Sequence, residues 1–114
     1  MVRLASEADP FAAVADPTRR RIIDLLALGE RPVNDVVAEL GVAQPQVSKH
    51  LRVLKEAGLV QARRAGRQRL YRVDGDGLRT LRDWIATFDR FWSHQLNRIK
   101  ASAERGARPT GDRR

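Results

Sequence analysis

The chain has 114 residues, no cysteine, and 22 Lys and Arg against 14 Asp and Glu, a formal charge of +8. That length suits one domain and leaves no room for a two-lobed enzyme with a large cleft. The missing cysteines exclude disulfides, thiolate metal sites, iron–sulfur clusters and cysteine nucleophiles, while the basic excess points to a polyanion, most often nucleic acid.

Hydrophobic residues make up 42% of the chain, enough to build a core. No apolar run approaches the ~20 residues that span a bilayer. Met1-Val2-Arg3-Leu4-Ala5-Ser6-Glu7 contains no apolar export core, so a soluble, cytoplasmic protein without a membrane partner is expected.

Asp9-Pro10 opens a short helix over about 9–15, with Asp as N-cap and Pro in the first turn. Asp16-Pro17-Thr18 repeats the signal and starts a second helix that Gly29 stops after Leu28. Arg19, Arg20 and Arg21 sit in its first turn, where the helix dipole disfavours cations. Such a run needs compensation, for which a phosphate is one candidate.

Pro32 and Asn34 begin a third helix over about 33–40, ended by Gly41. A fourth follows over about 44–57, with Val47, Leu51, Leu54 and Ala57 on one stripe. Gln44, Gln46, Ser48, Lys49, His50, Arg52 and Lys55 lie between them, so the other face is polar and cationic, with amide and hydroxyl groups able to read base edges. Gly58 closes this helix.

Two short strands are expected at about 59–63 and 68–73, joined by a turn that contains Gly66 and carries Arg64 and Arg67. A basic hairpin directly after a polar helix is the layout of a winged helix-turn-helix. Asp74-Gly75-Asp76-Gly77 reads as a turn. One long helix then covers about 77–103, with Leu78, Leu81, Ile85, Phe88, Trp92 and Ile99 at a/d-like spacing and Trp84, Phe91 and Leu96 widening the stripe. So much apolar surface calls for a partner, most simply a second copy. The segment after Glu104 lacks periodicity. The expected domains are therefore a DNA-binding and dimerisation unit over 1–104 and a disordered basic tail over 105–114.

Three stretches resemble the ArsR-type family of winged-helix bacterial repressors. They are Ala15-Asp16-Pro17-Thr18-Arg19-Arg20-Arg21-Ile22-Ile23-Asp24-Leu25-Leu26, the run from Leu40 to Val60 that contains Gln44-Pro45-Gln46-Val47-Ser48-Lys49-His50-Leu51, and Gly66-Arg67-Gln68-Arg69-Leu70-Tyr71. Phe91-Trp92-Ser93-His94-Gln95-Leu96 is similar to the subgroup without metal-binding cysteines. The chain departs from the family at Ala43, where a Ser or Thr cap is usual.

The resemblance implies a mainly α fold with a small β-hairpin, in the order α-α-α-α-β-β-α, that dimerises through its terminal helices. It implies a sequence-specific, homodimeric repressor of its own or a neighbouring operon, bound to double-stranded DNA at an imperfect palindrome. The fourth helix would lie in the major groove, with Gln44, Gln46 and Ser48 toward bases, Lys49 and Arg52 on phosphates, and His50 on a base or a phosphate. The wing would place Arg64, Arg67 and Arg69, with Arg63 and Gln68, on backbone or minor groove. Thr18 and Arg19 would hold a phosphate at a helix N-terminus.

Phe11, Leu81, Trp84, Ile85, Phe88, Phe91, Trp92, Leu96 and Ile99 form the expected dimer interface. Asp83, Asp89 and His94 do not reproduce a two-His metal pattern, so neither a metal nor a cofactor is expected. No catalytic arrangement emerges: Ser93 and His94 are adjacent on a helix and point about 100° apart. Two alternatives stay open, a non-specific architectural DNA-binding protein and a sensor of a small apolar effector.

Overall fold

The computed structural model describes residues 9–107. Its elements run α1 (Pro10–Ala13), α2 (Pro17–Leu26), β1 (Arg31–Pro32), α3 (Val33–Leu40), α4 (Gln44–Glu56), β2 (Val60–Ala65), β3 (Gln68–Val73), α5 (Gly75–Ala86) and α6 (Asp89–Ala107). The chain divides into two compact units, one ending at Leu81 and the other beginning at Arg82.

Both Asp-Pro signals act as read. The Asp9 carboxylate accepts from the Phe11 N–H at 3.0 Å, and Asp16 accepts from the N–H groups of Thr18 and Arg19 at 2.8 and 3.1 Å. Each satisfies orphan donors at a helix start. Ala43 heads α4 without a side-chain cap, in keeping with the departure seen in the sequence. The other end of α4 is closed more firmly. Gly58 adopts φ 80°, its N–H donates to the Lys55 carbonyl at 3.0 Å, and the Leu59 N–H donates to the Leu54 carbonyl at 2.9 Å. This is a Schellman motif, and its apolar partners Leu54 and Leu59 are both fully buried.

The core of the first unit is apolar throughout. Ile22, Leu25 and Leu26 of α2, Val36 of α3, and Val47, Leu51, Val53 and Leu54 of α4 meet Leu59 and Val60 at the entry to the sheet. Among the described residues no polar or charged residue is buried with them. Tyr71 and Val73 of β3 and Leu78 and Leu81 of α5 pack on its edge.

Three features depart from the sequence reading. A third strand exists: Arg31 and Pro32 pair antiparallel with Tyr71 and Leu70, giving the order β1-β3-β2. Two residues are too few to show alternation, so only the partner strand reveals them. Asp74-Gly75-Asp76-Gly77 is the start of α5 rather than a turn before a later helix: Asp74 Oδ1 accepts from the Asp76 N–H at 3.0 Å.

The expected long helix over 77–103 is also interrupted. The Thr87 hydroxyl and N–H both donate to the Trp84 carbonyl, at 2.6 and 3.1 Å, and the Phe88 N–H donates to Ile85 at 3.0 Å. These i→i+3 bonds tighten the last turn of α5 and end it. The Phe88 carbonyl then accepts from Trp92 at 2.9 Å and opens α6. A β-branched hydroxyl residue makes this break, with no Gly or Pro to announce it. The helix α6 continues through Ala107, into the first positions of the expected tail; residues 108–114 lie outside those described.

Candidate nucleic-acid interface

The buried stripe of α4 fixes which side chains face outward. Val47, Leu51 and Leu54 are fully buried, so Gln44, Gln46, Lys49, Arg52 and Lys55 are exposed and Ser48 and His50 half-buried. Gln44 donates from Nε2 to Ser48 Oγ at 3.0 Å, an i,i+4 pair along the helix. That bond uses one of two amide hydrogens and leaves one N–H and the Oε1 acceptor side by side. One donor beside one acceptor is the complement of an adenine edge in the major groove.

Between α4 and β3 lies a cleft of about 310 Å³ lined by Pro45, Ser48, Lys49, Leu51, Arg52, Lys55, Arg69 and Tyr71. Four of these carry positive charge and none is acidic. Lys49, Arg52 and Lys55 follow an i+3 row along the helix, and Arg69 and Tyr71 share one face of the strand. Lys55 and Tyr71 were not among the sequence-derived site residues. The i+3 spacing was the available signal for Lys55; only the helix–sheet packing brings in Tyr71.

The hairpin sorts charge between its two faces. Its two-residue turn has Gly66 at φ 65° and Arg67 at negative φ, the signs of a type II′ connection, which sets Arg67 at the tip. Arg64 stands directly opposite Arg69. Like charges in that position repel, and among the described residues neither forms an ion pair.

On the other face, Arg63 makes a two-pronged contact with Glu30, both bonds 2.8 Å. The Arg63 hydrogen bond, with the charges of Arg63 and Arg72, holds the Glu30 carboxyl below its ordinary pKa, and Glu30 raises Arg63 in return. Gln61 donates to Asp74 Oδ2 at 2.6 Å; that bond, the Asp76 and Gly77 N–H groups and the Arg72 charge hold Asp74 low. One face of the hairpin is thus neutralised internally. The face shared with the α4 cleft is left positive.

Two of the three arginines at the start of α2, Arg19 and Arg20, find partners within the protein. Arg19 donates from Nε to the Ala13 carbonyl at 2.7 Å, approaches Asp16 Oδ2 at 4.0 Å and places Nη1 3.3 Å from His50 Nδ1. Arg20 donates to the carbonyls of Val14 and Ala15 at 2.8 and 3.3 Å. Carbonyls at the end of α1 and the Asp16 carboxylate thus offset the dipole cost. Burial alone would raise the Asp16 carboxyl, but the N–H groups of Arg19 and Thr18 and the charge of Arg19 outweigh it and hold it below its ordinary value. Thr18 is half-buried beside this cap.

The apolar stripe of the second unit is exposed. Trp84, Ile85, Phe88, Phe91, Trp92, Leu96 and Ile99 are 40–62% accessible, with Trp84–Phe88 and Phe91–Trp92 in edge-on ring pairs. Phe11 is exposed in the first unit, where Leu81 packs on the core. Among the described residues no helix is long and apolar enough to cross a membrane, and no cluster of three or more His, Asp or Glu side chains could hold a metal ion.

Residues 16–62 match the model for bacterial regulatory proteins of the arsR family. An HTH-type transcriptional regulator of Mycobacterium tuberculosis is 46% identical over 86 residues, covering 75% of this chain and 78% of the relative. The chain belongs to the arsR family. The transcriptional repressor SdpR of Bacillus subtilis is 33% identical over 78 residues, 68% of this chain and 87% of that protein.

Among solved structures, a possible transcriptional regulator for arsenical resistance superposes with TM-score 0.64 at 47% identity, covering 83% of this chain and 96% of the other. The homodimeric winged helix-turn-helix DNA-binding domain of a possible ArsR-family regulator from Mycobacterium bovis gives TM-score 0.61 at 36% identity, over 75% and 82% of the two chains. The arsR-family protein described here is accordingly a winged helix-turn-helix, DNA-binding transcriptional regulator, with α3–α4 as the helix-turn-helix and β2–β3 as the wing.

Proposed function

We propose that the chain is a homodimeric, cytoplasmic repressor that reads an imperfect palindrome with α4 in the major groove. The observation that carries this reading is the sorted charge: the α4–β3 cleft gathers Lys49, Arg52, Lys55 and Arg69 without an acidic residue, beside the Gln44–Ser48 pair. Cations on phosphates set the register, and amides read bases. Gln44, Gln46 and Ser48 are assigned to bases, Lys49, Arg52 and Lys55 to phosphates, and Arg64, Arg67 and Arg69 to the backbone beside the wing. A purely architectural protein would need the cations alone.

Dimerisation is assigned to the exposed aromatic stripe from Trp84 to Ile99, together with Phe11. We keep residues 1–104 as the DNA-binding and dimerisation region and 105–114 as a basic extension. The homodimer found for the Mycobacterium bovis relative supports the same assembly here. Two reading helices related by a two-fold axis meet successive major grooves, so each operator half-site is the same sequence inverted.

The test is selection of duplexes from a random pool, followed by competition against scrambled DNA. Enrichment of a two-fold sequence with half-sites about one helical turn apart is expected. Equal binding to scrambled competitor would overturn the repressor reading in favour of the architectural one.

A further inference from the structure

Arg19 and His50 meet across two helices, and a hydrogen bond between them can run in only one direction. A guanidinium carries five N–H donors, has no acceptor and does not lose its proton in proteins. The His50 nitrogen 3.3 Å from Arg19 Nη1 is Nδ1, which must therefore accept. An imidazole that accepts at Nδ1 is neutral and carries its hydrogen on Nε2.

Arg19 is itself held in place. Its side chain is only 18% exposed, its Nε is bound to the Ala13 carbonyl at 2.7 Å, and Asp16 lies 4.0 Å away while capping α2. A fixed donor on α2 thus sets the tautomer of a ring on the reading helix.

From this geometry we infer that Arg19 is a positioning residue for DNA recognition, acting through His50, which it holds as an Nε2–H donor for an acceptor on the nucleic acid. The inference rests on α4 being the DNA-reading helix, and it moves Arg19 from direct phosphate contact to control of its neighbour. A ring of fixed tautomer presents a hydrogen to phosphate oxygens or to guanine O6 and N7, and rejects a donor such as the cytosine or adenine amino group. An unfixed ring would accept either.

The free protein and its complex test this separately. In the free protein, nitrogen-15 spectra of the His50 ring should show a hydrogen on Nε2 and a bare Nδ1, whose resonance moves in Arg19→Met. A protonated Nδ1 in the wild type, or an unmoved Nδ1 resonance in the variant, would overturn the tautomer assignment whether or not DNA binds.

For recognition, the duplex enriched by the wild-type protein is the ligand. Arg19→Met and His50→Ala should each weaken binding about tenfold, the order expected for one hydrogen bond. The double variant should also lose about tenfold, because one residue works through the other; a loss of about a hundredfold would mean independent roles and refute the coupling. His50→Gln and His50→Asn leave the bond from Arg19 to Ala13 untouched and guard against misfolding of Arg19→Met. Gln places its amide where Nε2 was and should retain binding, whereas Asn places it near Nδ1 and should not; equal behaviour would refute the donor role. Failure of the wild type to enrich any duplex would instead sink the DNA-reading assignment of α4 and with it His50's role there, leaving the tautomer result standing.

Discussion

Gly77→Ala sets two physical effects against each other, and the sign of the result decides between them. Gly77 is the third residue of α5, so helix propensity alone predicts that alanine stabilises by about 0.8–1 kcal/mol. The packing predicts the reverse. A Cβ on Gly77 would overlap the Gly58 carbonyl oxygen and stand 2.6 Å from its carbon and 3.2 Å from the Leu59 Cα.

Carbon atoms at ease sit about 3.5–4.0 Å apart, so α5 and the turn after α4 must separate by roughly 1 Å. Both partners are backbone, and no rotamer change relieves the overlap. Overpacking of this kind costs about 1–3 kcal/mol or more. A backbone-on-backbone overlap belongs at the upper end, about 2–3 kcal/mol, so with the propensity gain subtracted we expect a net loss of about 1–2 kcal/mol, or a melting temperature lower by roughly 5–15 °C in a domain of this size. The displaced turn carries the Leu59–Leu54 bond that closes α4 and the bond from the Asp74 N–H to the Leu59 carbonyl at 2.9 Å. The assay is thermal and urea unfolding followed by circular dichroism, with Gly75→Ala as control. A side-chain methyl at Gly75 would meet no packing neighbour within 4 Å, so that variant should be neutral or slightly stabilised. A Gly77→Ala protein that melts at or above the wild type would refute the packing argument.

Four further outcomes follow from the site. Arg69→Ala should weaken binding to all sequences alike and flatten the log–log salt dependence by about 0.9 for each phosphate left without its cation, read from titrations at several salt concentrations; a change in base preference with an unchanged slope would contradict its phosphate role. Ser48→Ala should relax the same operator position as Gln44→Ala, since Ser48 orients that amide; selection experiments that relax different positions would separate the two residues.

Asp16→Ala should cost about 1 kcal/mol near neutral pH through loss of the cap. The Asp16 carboxyl titrates below its ordinary 3.8 in the folded protein, so its stabilisation is present above that value and disappears as pH falls through the lower folded one. The gap between variant and wild type should therefore close in acid, and a gap that widens there would oppose the cap assignment. Trp92→Ala should raise the dimer dissociation constant in sedimentation equilibrium by about tenfold or more, as for a buried aromatic anchor; an unchanged dimer would remove Trp92 from the interface.

The 22 basic and 14 acidic residues indicated a polyanionic partner from composition alone, but composition carries no direction. Local signals were legible wherever the cause is local. Asp-Pro starts, a Gly58 stop, a four-three-three apolar stripe and a Gly66 turn act over a few residues and were read close to where they stand. The face of α4 that carries Gln44, Gln46 and Lys49 followed from the helical period, and the helix-turn-helix and wing from the order of elements and the family resemblance.

Tertiary structure decided what depends on long-range neighbours. Whether a given arginine is available to DNA was not written in its own segment. Arg63 is taken up by Glu30 and Arg19 by Ala13 and His50, while Arg69 lies open in the cleft. The two-residue β1 exists only because β3 offers it a ladder, and the stripe from Leu78 to Ile99 crosses a break made by one threonine hydroxyl. Side-chain type and spacing determine which surfaces a chain can form. Which charges are left over is settled only after ion pairs and carbonyl contacts between distant segments have used the rest.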